Sequence, residues 1–262
     1  MTPEPVLCVE DLHLRFHGIQ AIAGVEFVLA PREILGIIGP NGAGKTSVLN
    51  CINGFYRPQR GRIVFGGGDI THLAPHRRAA LGIARTFQNI ALYPGMSVLN
   101  NIMTGRIIRM RSGLLACGLY AGPAQREHVT HRGVVEEIID FLEIEEARRH
   151  LVADLPYGIQ KKVELGRALA MDPQVLILDE PMAGMSADEK SDMARYILEL
   201  KEVRSLPMIL IEHDMGVVMD LCDRLIVMDY GKKIAEGSPD QIQRNPDVIR
   251  AYIGHADEGT AH

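Results

Sequence analysis

The sequence predicts an α/β fold with a mainly parallel β-sheet, an N-terminal antiparallel β subdomain and an inserted helical subdomain. Short, mainly apolar stretches at 33–38, 175–178 and 208–212 alternate with stretches in which apolar residues have helical spacing. Strands that are separated by helices in this way form parallel sheets. At 6–16 and 20–30 apolar and polar residues alternate instead, which indicates strands with one solvated face, as in antiparallel sheets.

Each element follows from its local sequence. The apolar strand at 33–38 leads into a glycine-rich loop, and the helix after that loop should end at Gly54. A helix from about Gly158 should stop before Asp172-Pro173, because the residue before a proline disfavours helical geometry. The other predicted elements are a strand at 62–65, an extended stretch at 82–88, mostly helical chain from 98 to 151, a helix at 188–203, a hairpin that turns at Tyr230-Gly231, and short helices up to 253.

These elements divide the chain into three predicted parts. Residues 1–88 and 171–240 should form the core with its antiparallel strands, residues 89–170 the helical subdomain, and residues 241–262 a C-terminal tail. Within the helical part, the stretch 106–132 is basic and contains glycine, so we expect a solvated face whose arginines would suit a nearby membrane.

Composition excludes several classes of protein. Lys and Arg (28) against Asp and Glu (33) give a net charge of −5, which argues against nucleic acid as the main partner. The apolar runs are far shorter than the roughly 18–20 residues that a membrane-spanning helix needs. The stretch "MTPEPVLCVEDL" has no basic region followed by an apolar one, so we do not expect secretion. The four cysteines lack metal or redox spacing, so free thiols in a reducing cytosol are expected, with a disulfide as the alternative.

The glycine-rich loop predicts a phosphate-binding site. The stretch 39–46, "GPNGAGKT", matches G-x-x-x-x-G-K-[ST] and lies between a buried strand and a helix, as the mechanism requires. Backbone N–H groups and the helix N-terminus would bind the phosphates, Lys45 would reach the β and γ phosphates, and Thr46 would ligate Mg²⁺. The residues of this loop that we predict to bind the phosphates are Gly39, Pro40, Asn41, Gly42, Ala43, Gly44, Lys45, Thr46 and Ser47.

A second motif, "VLILDEP", predicts the hydrolytic chemistry. It delivers two carboxylates at the C-terminal end of an apolar strand, where open α/β sheets bind ligands. Asp179 would hold Mg²⁺ through water, and Glu180 would orient the attacking water or accept its proton. The alternative for this motif alone is a loop with two solvated acids; next to a phosphate loop, that alternative is the minor one.

With these motifs, the chain resembles the ATPase subunit of the ATP-binding cassette (ABC) family, a P-loop NTPase, over nearly its whole length. The resemblance implies ATP and Mg²⁺ as cofactors. It implies that Gln88 in "RTFQ" links the metal and the water to the helical subdomain and joins Thr46 and Asp179 as a metal ligand. It also implies that His213 in "LIEHD" contacts the γ-phosphate and that the adenine stacks on Phe16 in "RFHG". The alternatives are that Gln88 is a surface residue, that His213 is a polar residue at the end of a strand, and that Phe16 is a core residue.

The signature motif of the family departs from its usual form. The resemblance implies that Tyr157, Gly158, Ile159 and Gln160 contact the ATP of a partner subunit. Pro156 stands where the family has a serine, and it supplies neither a hydroxyl nor an N–H. A second departure is Ser186, where the family often has aspartate in a loop at the dimer interface. Ser186 and Glu189 also fit a capping box, which could explain this loop entirely.

Within the family, the chain resembles the ATPases of branched-chain amino acid importers. Stretches that carry this resemblance include "GIARTFQNIALYPGMSVLNNIMTG", "IEHDMGVVMDLCDRLIVMDYGKKIAEG" and "NPDVIRAYIG". It implies a peripheral protein at the cytoplasmic face of the cell (inner) membrane, with transmembrane permease subunits, a second ABC ATPase subunit and, indirectly, an extracytoplasmic substrate-binding protein as partners. The alternatives are a transporter of another cargo, such as exported lipid, and a soluble ABC ATPase outside transport.

Overall fold

The structure is a computed structural model that describes residues 4–88, 90–110 and 123–258. The strands, labelled in chain order, are β1 (Leu7–Phe16), β2 (Ile19–Leu29), β3 (Ile34–Ile38), β4 (Arg60–Phe65), β5 (Gly68–Asp69), β6 (Ile83–Arg85), β7 (Val175–Asp179), β8 (Met208–Ile211), β9 (Arg224–Asp229) and β10 (Lys232–Gly237). The helices are α1 (Lys45–Asn53), α2 (Pro75–Leu81), α3 (Val98–Arg106), α4 (Pro123–Phe141), α5 (Tyr157–Leu169), α6 (Ala187–Arg204), α7 (Met215–Leu221), α8 (Pro239–Gln243) and α9 (Pro246–Glu258), with 3-10 turns at Ile107–Arg109 and Val152–Asp154.

Two sheets confirm the predicted fold class. A six-stranded sheet has the order β10-β9-β3-β8-β7-β6, in which only the hairpin strand β10 pairs antiparallel to its neighbour. A four-stranded antiparallel sheet has the order β2-β1-β4-β5. Because β3, β8 and β7 are adjacent and parallel, their C-terminal ends meet at one edge. That edge brings together the loops that follow Ile38, Asp179 and Ile211.

The helix after the glycine-rich loop ends where its sequence predicts. Gly54 follows α1 with a φ of 82°, a left-handed conformation that favours glycine. Arg78, which is 1% exposed, then donates hydrogen bonds to the last carbonyls of this helix, those of Cys51 and Ile52. The same guanidinium also bonds the carbonyls of Thr71 and Leu73. One buried side chain therefore satisfies acceptors that the helix end leaves open.

The predicted helical face of the middle segment packs into the core. Ile138 and Leu142 on α4 are buried with Ile102 on α3 in one hydrophobic cluster, and Val134 packs partly buried against it. The helix predicted at 158–170 is α5, and the helix predicted at 188–203 is α6; each boundary is within one residue of the prediction.

Two arginines of the stretch 106–132 do not form the solvated face that the sequence led us to expect. Arg106 is buried and donates to the carbonyl of Ala170 and to the Nδ1 atom of His131. Arg109 donates to the carbonyls of Met171 and Asp172. Both therefore hold the chain that leaves the C-terminus of α5, where positive charge is favourable. Residues 111–122 of this stretch lie outside the described part of the chain.

The cysteines in the described residues are free thiols, as predicted. Cys51 and Cys222 are buried, and burial raises the pKa of each thiol to about 12, so both are protonated at neutral pH. Cys8 is half-buried, and Cys117 lies outside the described residues. None of the helices in the described ranges is both long and apolar enough to cross a bilayer.

Candidate functional site

A cleft of about 340 Å³ lies at the edge where the parallel strands end. Its wall combines the glycine-rich loop, the start of β2, and polar side chains that follow β6, β7 and β8. The lining residues are Ile19, Gln20, Ala21, Asn41, Gly42, Ala43, Gly44, Lys45, Thr46, Ser47, Gln88, Glu180 and His213. The structure thus brings most of the predicted ATP-binding residues and all three predicted catalytic residues around one cavity.

The glycine-rich loop requires glycine for close backbone approach. Gly39 has a φ of 147°, and a Cβ placed on it would lie 2.1 Å from the carbonyl oxygen of Met228. Gly44 has a φ of 99°, and its Cβ would lie 2.4 Å from the carbonyl oxygen of Ala21. Neither position tolerates a side chain, because the obstructing atoms are backbone. The loop is therefore packed tightly against β9 and β2 at the base of the cleft.

Lys45 is the buried cation of the cleft. Its ammonium donates hydrogen bonds to the carbonyl oxygens of Gly39, at 2.7 Å, and Pro40, at 2.9 Å. Burial lowers the pKa of the ammonium, whereas the nearby carboxylates of Glu180 and Asp179 act in the opposite direction. The cation thus lies inside the loop, close to the acids at the end of β7.

Glu180 lies at the centre of the polar side chains in the cleft. The Gln88 side-chain amide donates to its Oε2 at 2.9 Å, and the Nε2 atom of His213 lies 2.7 Å from its Oε1. These three residues are 92 and 33 positions apart along the chain, so only the fold brings them together. Each oxygen of the Glu180 carboxylate is engaged by one neighbour, which fixes its orientation.

Asp179 has a partner that sequence reasoning missed. The Arg85 guanidinium lies 2.6 Å from its Oδ2, and the two side chains are only 6% and 4% exposed. Arg85 also donates to the Asn50 side chain on α1, at 2.7 Å, while its Nε has no hydrogen-bond partner among the described residues. Arg85 lies three residues before Gln88, in the extended stretch that pairs with β7. This position in the sequence could have indicated that Arg85 lies close to Asp179. The pair ties the glycine-rich loop helix to β6 and β7.

Replacing Arg85 with methionine should lower the free energy of unfolding by roughly 3–5 kcal/mol, because the buried Asp179 carboxylate would lose its counter-ion. The double variant Arg85→Met/Asp179→Asn should be more stable than Arg85→Met alone, since it removes the uncompensated charge. Urea-induced unfolding of the two variants and of Asp179→Asn measures this coupling. A double variant less stable than Arg85→Met alone would contradict the account.

The donor set beside the cleft fits Mg²⁺ only together with a phosphate ligand. Among the described residues, no group of three or more His, Cys, Asp or Glu side chains is placed to hold a metal. Mg²⁺ prefers oxygen ligands and is usually bound by one or two carboxylates, waters and substrate phosphates. The Thr46 hydroxyl, the Gln88 side-chain oxygen and one oxygen of Asp179 are of this type.

Phe16 and the cleft are separate features. Its ring, 38% exposed, makes an edge contact with Tyr56 at a centroid distance of 4.9 Å. Phe16 is not one of the described residues that line the cleft. The lining residues nearest to it in the sequence are Ile19 and Gln20, at the start of β2. Stacking of adenine on Phe16 stays a prediction.

The signature residues open α5 and are not among the described residues that line the cleft. Pro156 is the N-cap of α5, and it makes no capping hydrogen bond through its side chain. A Cβ on Gly158 would lie 2.1 Å from a carboxylate oxygen of Glu189. Glu189 also forms the predicted capping box with Ser186 at the start of α6. The signature helix therefore packs closely against the start of α6, and a side chain at Gly158 would have to displace the Glu189 carboxylate.

One face of α5 also holds the backbone on both sides of Gln88, a feature that the sequence did not reveal. Lys161 donates to the carbonyl of Gln88, and a carboxylate oxygen of Glu164 accepts the N–H of Phe87, both at 3.1 Å. Arg167 donates to the carbonyl of Ala91. Because these residues are three positions apart, they share one side of the helix. Movement of the signature helix would therefore act on Gln88 directly.

Comparison with known proteins gives matches over nearly the full chain. The family model for "ABC transporter" matches residues 22–183, and the model for "Branched-chain amino acid ATP-binding cassette transporter" matches residues 232–258. The high-affinity branched-chain amino acid transport ATP-binding protein LivG of Escherichia coli K12 is 39% identical over 257 residues, which are 97% of this chain and 99% of that protein.

Two further matches are informative. The lipopolysaccharide export system ATP-binding protein LptB of Haemophilus influenzae is 32% identical, over 95% of this chain and 97% of that protein. A solved structure described as the ADP conformation of MJ1267, an ATP-binding cassette of an ABC transporter, has a TM-score of 0.83 and 32% identity and covers 96% of this chain and 99% of that one. These likenesses cover both sheets and the helices between them.

Proposed function

Because the chain belongs to the ABC transporter family, as an ATP-binding cassette that hydrolyses ATP, we propose that it powers an importer of branched-chain or related amino acids, small amides or carboxylates. The match of its C-terminal residues 232–258 to the branched-chain family model carries this proposal. The 32% identity to a lipopolysaccharide export ATPase makes lipid export the second candidate. A soluble ABC ATPase outside transport is the third, and no comparison reported above favours it.

ATP would bind in the cleft with its phosphates along the loop 39–47. The Lys45 ammonium bonds the carbonyls of Gly39 and Pro40 within this loop, which supports a role for it next to the β and γ phosphates. Thr46, Gln88 and Asp179 would hold Mg²⁺, and this ion would supply positive charge that neutralises the phosphate oxygens. In this proposal Arg85 binds one oxygen of Asp179, and the other oxygen would be the one available to the metal.

Glu180 would act on the attacking water as an orienting group or general base. Its contacts with Gln88 and His213 support this role, because they aim the carboxylate into the cleft beside the phosphate loop. Gln88 and His213 would in turn respond to the γ-phosphate. The face of α5 that holds Gln88 would link this response to the signature residues Tyr157, Gly158, Ile159 and Gln160.

The signature residues would complete the nucleotide site of a second ABC ATPase subunit. Their place at the N-terminus of α5 supports this role, since N–H groups there favour a phosphate. Permease subunits would receive the resulting motion at the cytoplasmic face of the membrane, where the chain would bind peripherally. An extracytoplasmic substrate-binding protein would deliver the cargo to those permeases.

Mass spectrometry of the complex tests this assembly. The full chain carrying Glu180→Gln would be purified with ATP from gently solubilised native membranes. We expect two multi-spanning chains and a second ATPase to purify with it. Recovery of a lipid-export permease would favour the second candidate, and recovery from the soluble fraction alone would contradict the transport proposal.

A further inference from the structure

We propose that Glu212 is a positioning residue: by joining the loop that carries Glu180 to the loop that carries His213, it holds the Glu180 carboxylate in place beside His213. The residue lies between the end of β8 and His213 and is 5% exposed. It does not line the described cleft, so it would act through its neighbours rather than on ATP. This inference rests on the role proposed above for Glu180.

The Glu212 carboxylate joins the two loops that carry the proposed catalytic residues. One oxygen accepts a hydrogen bond from the backbone N–H of Met182 at 2.8 Å, two residues after Glu180. The other oxygen accepts the backbone N–H of His213 at 3.2 Å. A single side chain therefore fixes the loop after β7 relative to the loop after β8.

The backbone of Glu180 needs such support. Glu180 has a φ of 50°, a left-handed conformation that is uncommon for a residue other than glycine. A conformation of this kind costs roughly 1–3 kcal/mol and persists only where surrounding contacts determine it. Its own N–H donates to the carbonyl of Ile211 at 2.9 Å, and the bond from Met182 to Glu212 secures the chain on the other side. Both supports come from the end of β8.

A buried carboxylate at position 212 is better suited to orienting the two loops through hydrogen bonds than to filling space in the core. Burial raises the pKa of its carboxyl, and the two backbone amides oppose this effect. An apolar residue of similar size would avoid this cost of burial but would leave both amides without their acceptor. A carboxylate is the side chain that can accept from both amides with separate oxygens.

The substitution Glu212→Gln tests the role, because an amide keeps the size but has one oxygen in place of two. Single-turnover hydrolysis by the full-length chain should fall about 10- to 100-fold, since a misplacement of about 1 Å can cost that much. The Kd for ATP should stay within about two-fold of the wild-type value, because the phosphate loop is unchanged. Glu202→Gln, on the exposed end of α6, is the matched control.

A double variant separates positioning from a general structural effect. If Glu212 acts through Glu180, adding Glu212→Gln to Glu180→Gln should lower the residual hydrolysis by no more than about two-fold. A multiplied loss would overturn the inference, as would wild-type hydrolysis in the Glu212→Gln variant. If Glu212→Gln does not fold, Glu212→Asp gives the same test, because its shorter side chain should lose the contact with Met182.

The proposed function and this inference fail in different ways. Undiminished hydrolysis by Glu180→Gln would overturn the role of Glu180 itself. Loss of hydrolysis in Glu180→Gln together with an unaffected Glu212→Gln would overturn the positioning role alone.

Discussion

Replacing Glu180 with glutamine should lower the rate of ATP hydrolysis by roughly 10²- to 10⁴-fold, the range that a positioned general base contributes. The amide cannot accept a proton from water. Its size is unchanged, and Lys45 and the phosphate loop keep their geometry, so the Kd for ATP should change little. Equilibrium binding of ATP and single-turnover hydrolysis, measured on the same preparation, separate the two effects.

The exposed Glu202 on α6 offers a matched control for this substitution. Glu202→Gln changes the same charge at a residue that does not line the described cleft, so this variant should hydrolyse ATP at the wild-type rate. A Glu180→Gln variant that binds ATP and hydrolyses it as fast as wild type would show that another group acts on the attacking water.

Replacing Lys45 with methionine should weaken ATP binding by roughly 10- to 150-fold, which corresponds to the 1.5–3 kcal/mol typical of a hydrogen bond to a charged group. Methionine fills much of the buried volume of the lysine stem but carries no charge. The ammonium now bonds the carbonyls of Gly39 and Pro40, which places it at the loop that would hold the phosphates. Titration with ATP at constant ionic strength measures the change.

Lys232, an exposed residue of β10, provides the control for charge. Lys232→Met removes the same charge and should leave the Kd for ATP near its wild-type value. Equal affinities for ATP in wild type and Lys45→Met would refute the assignment of the phosphate loop.

Features with local causes could be predicted from the sequence. The end of α1 follows from Gly54, which adopts the left-handed conformation that a helix C-terminus favours. The capping box of Ser186 and Glu189 follows from residues three positions apart. The cleft could also be placed, since the C-terminal ends of parallel strands share one edge.

Features that depend on distant contacts could not be predicted in this way. The pair Arg85–Asp179 joins residues 94 positions apart, and the bond from Met182 to Glu212 spans 30 positions. Arg106 is a further example. The basic stretch around it predicts an exposed side chain, but Arg106 is buried and bonds the carbonyl of Ala170, 64 positions away. A composition or a motif does not specify such pairings; the packing of strands and helices does.

Uptake of radiolabelled leucine by the source cells shows whether the chain powers an importer of branched-chain amino acids. The chromosomal copy would be deleted and the strain complemented with the wild-type, Glu202→Gln or Glu180→Gln chain at equal expression. We expect the wild-type and Glu202→Gln chains to restore uptake of leucine, and the Glu180→Gln chain to leave it at the level of the deletion strain. Equal uptake of leucine, isoleucine and valine by the deletion strain and all complemented strains would rule out a branched-chain amino acid as the cargo.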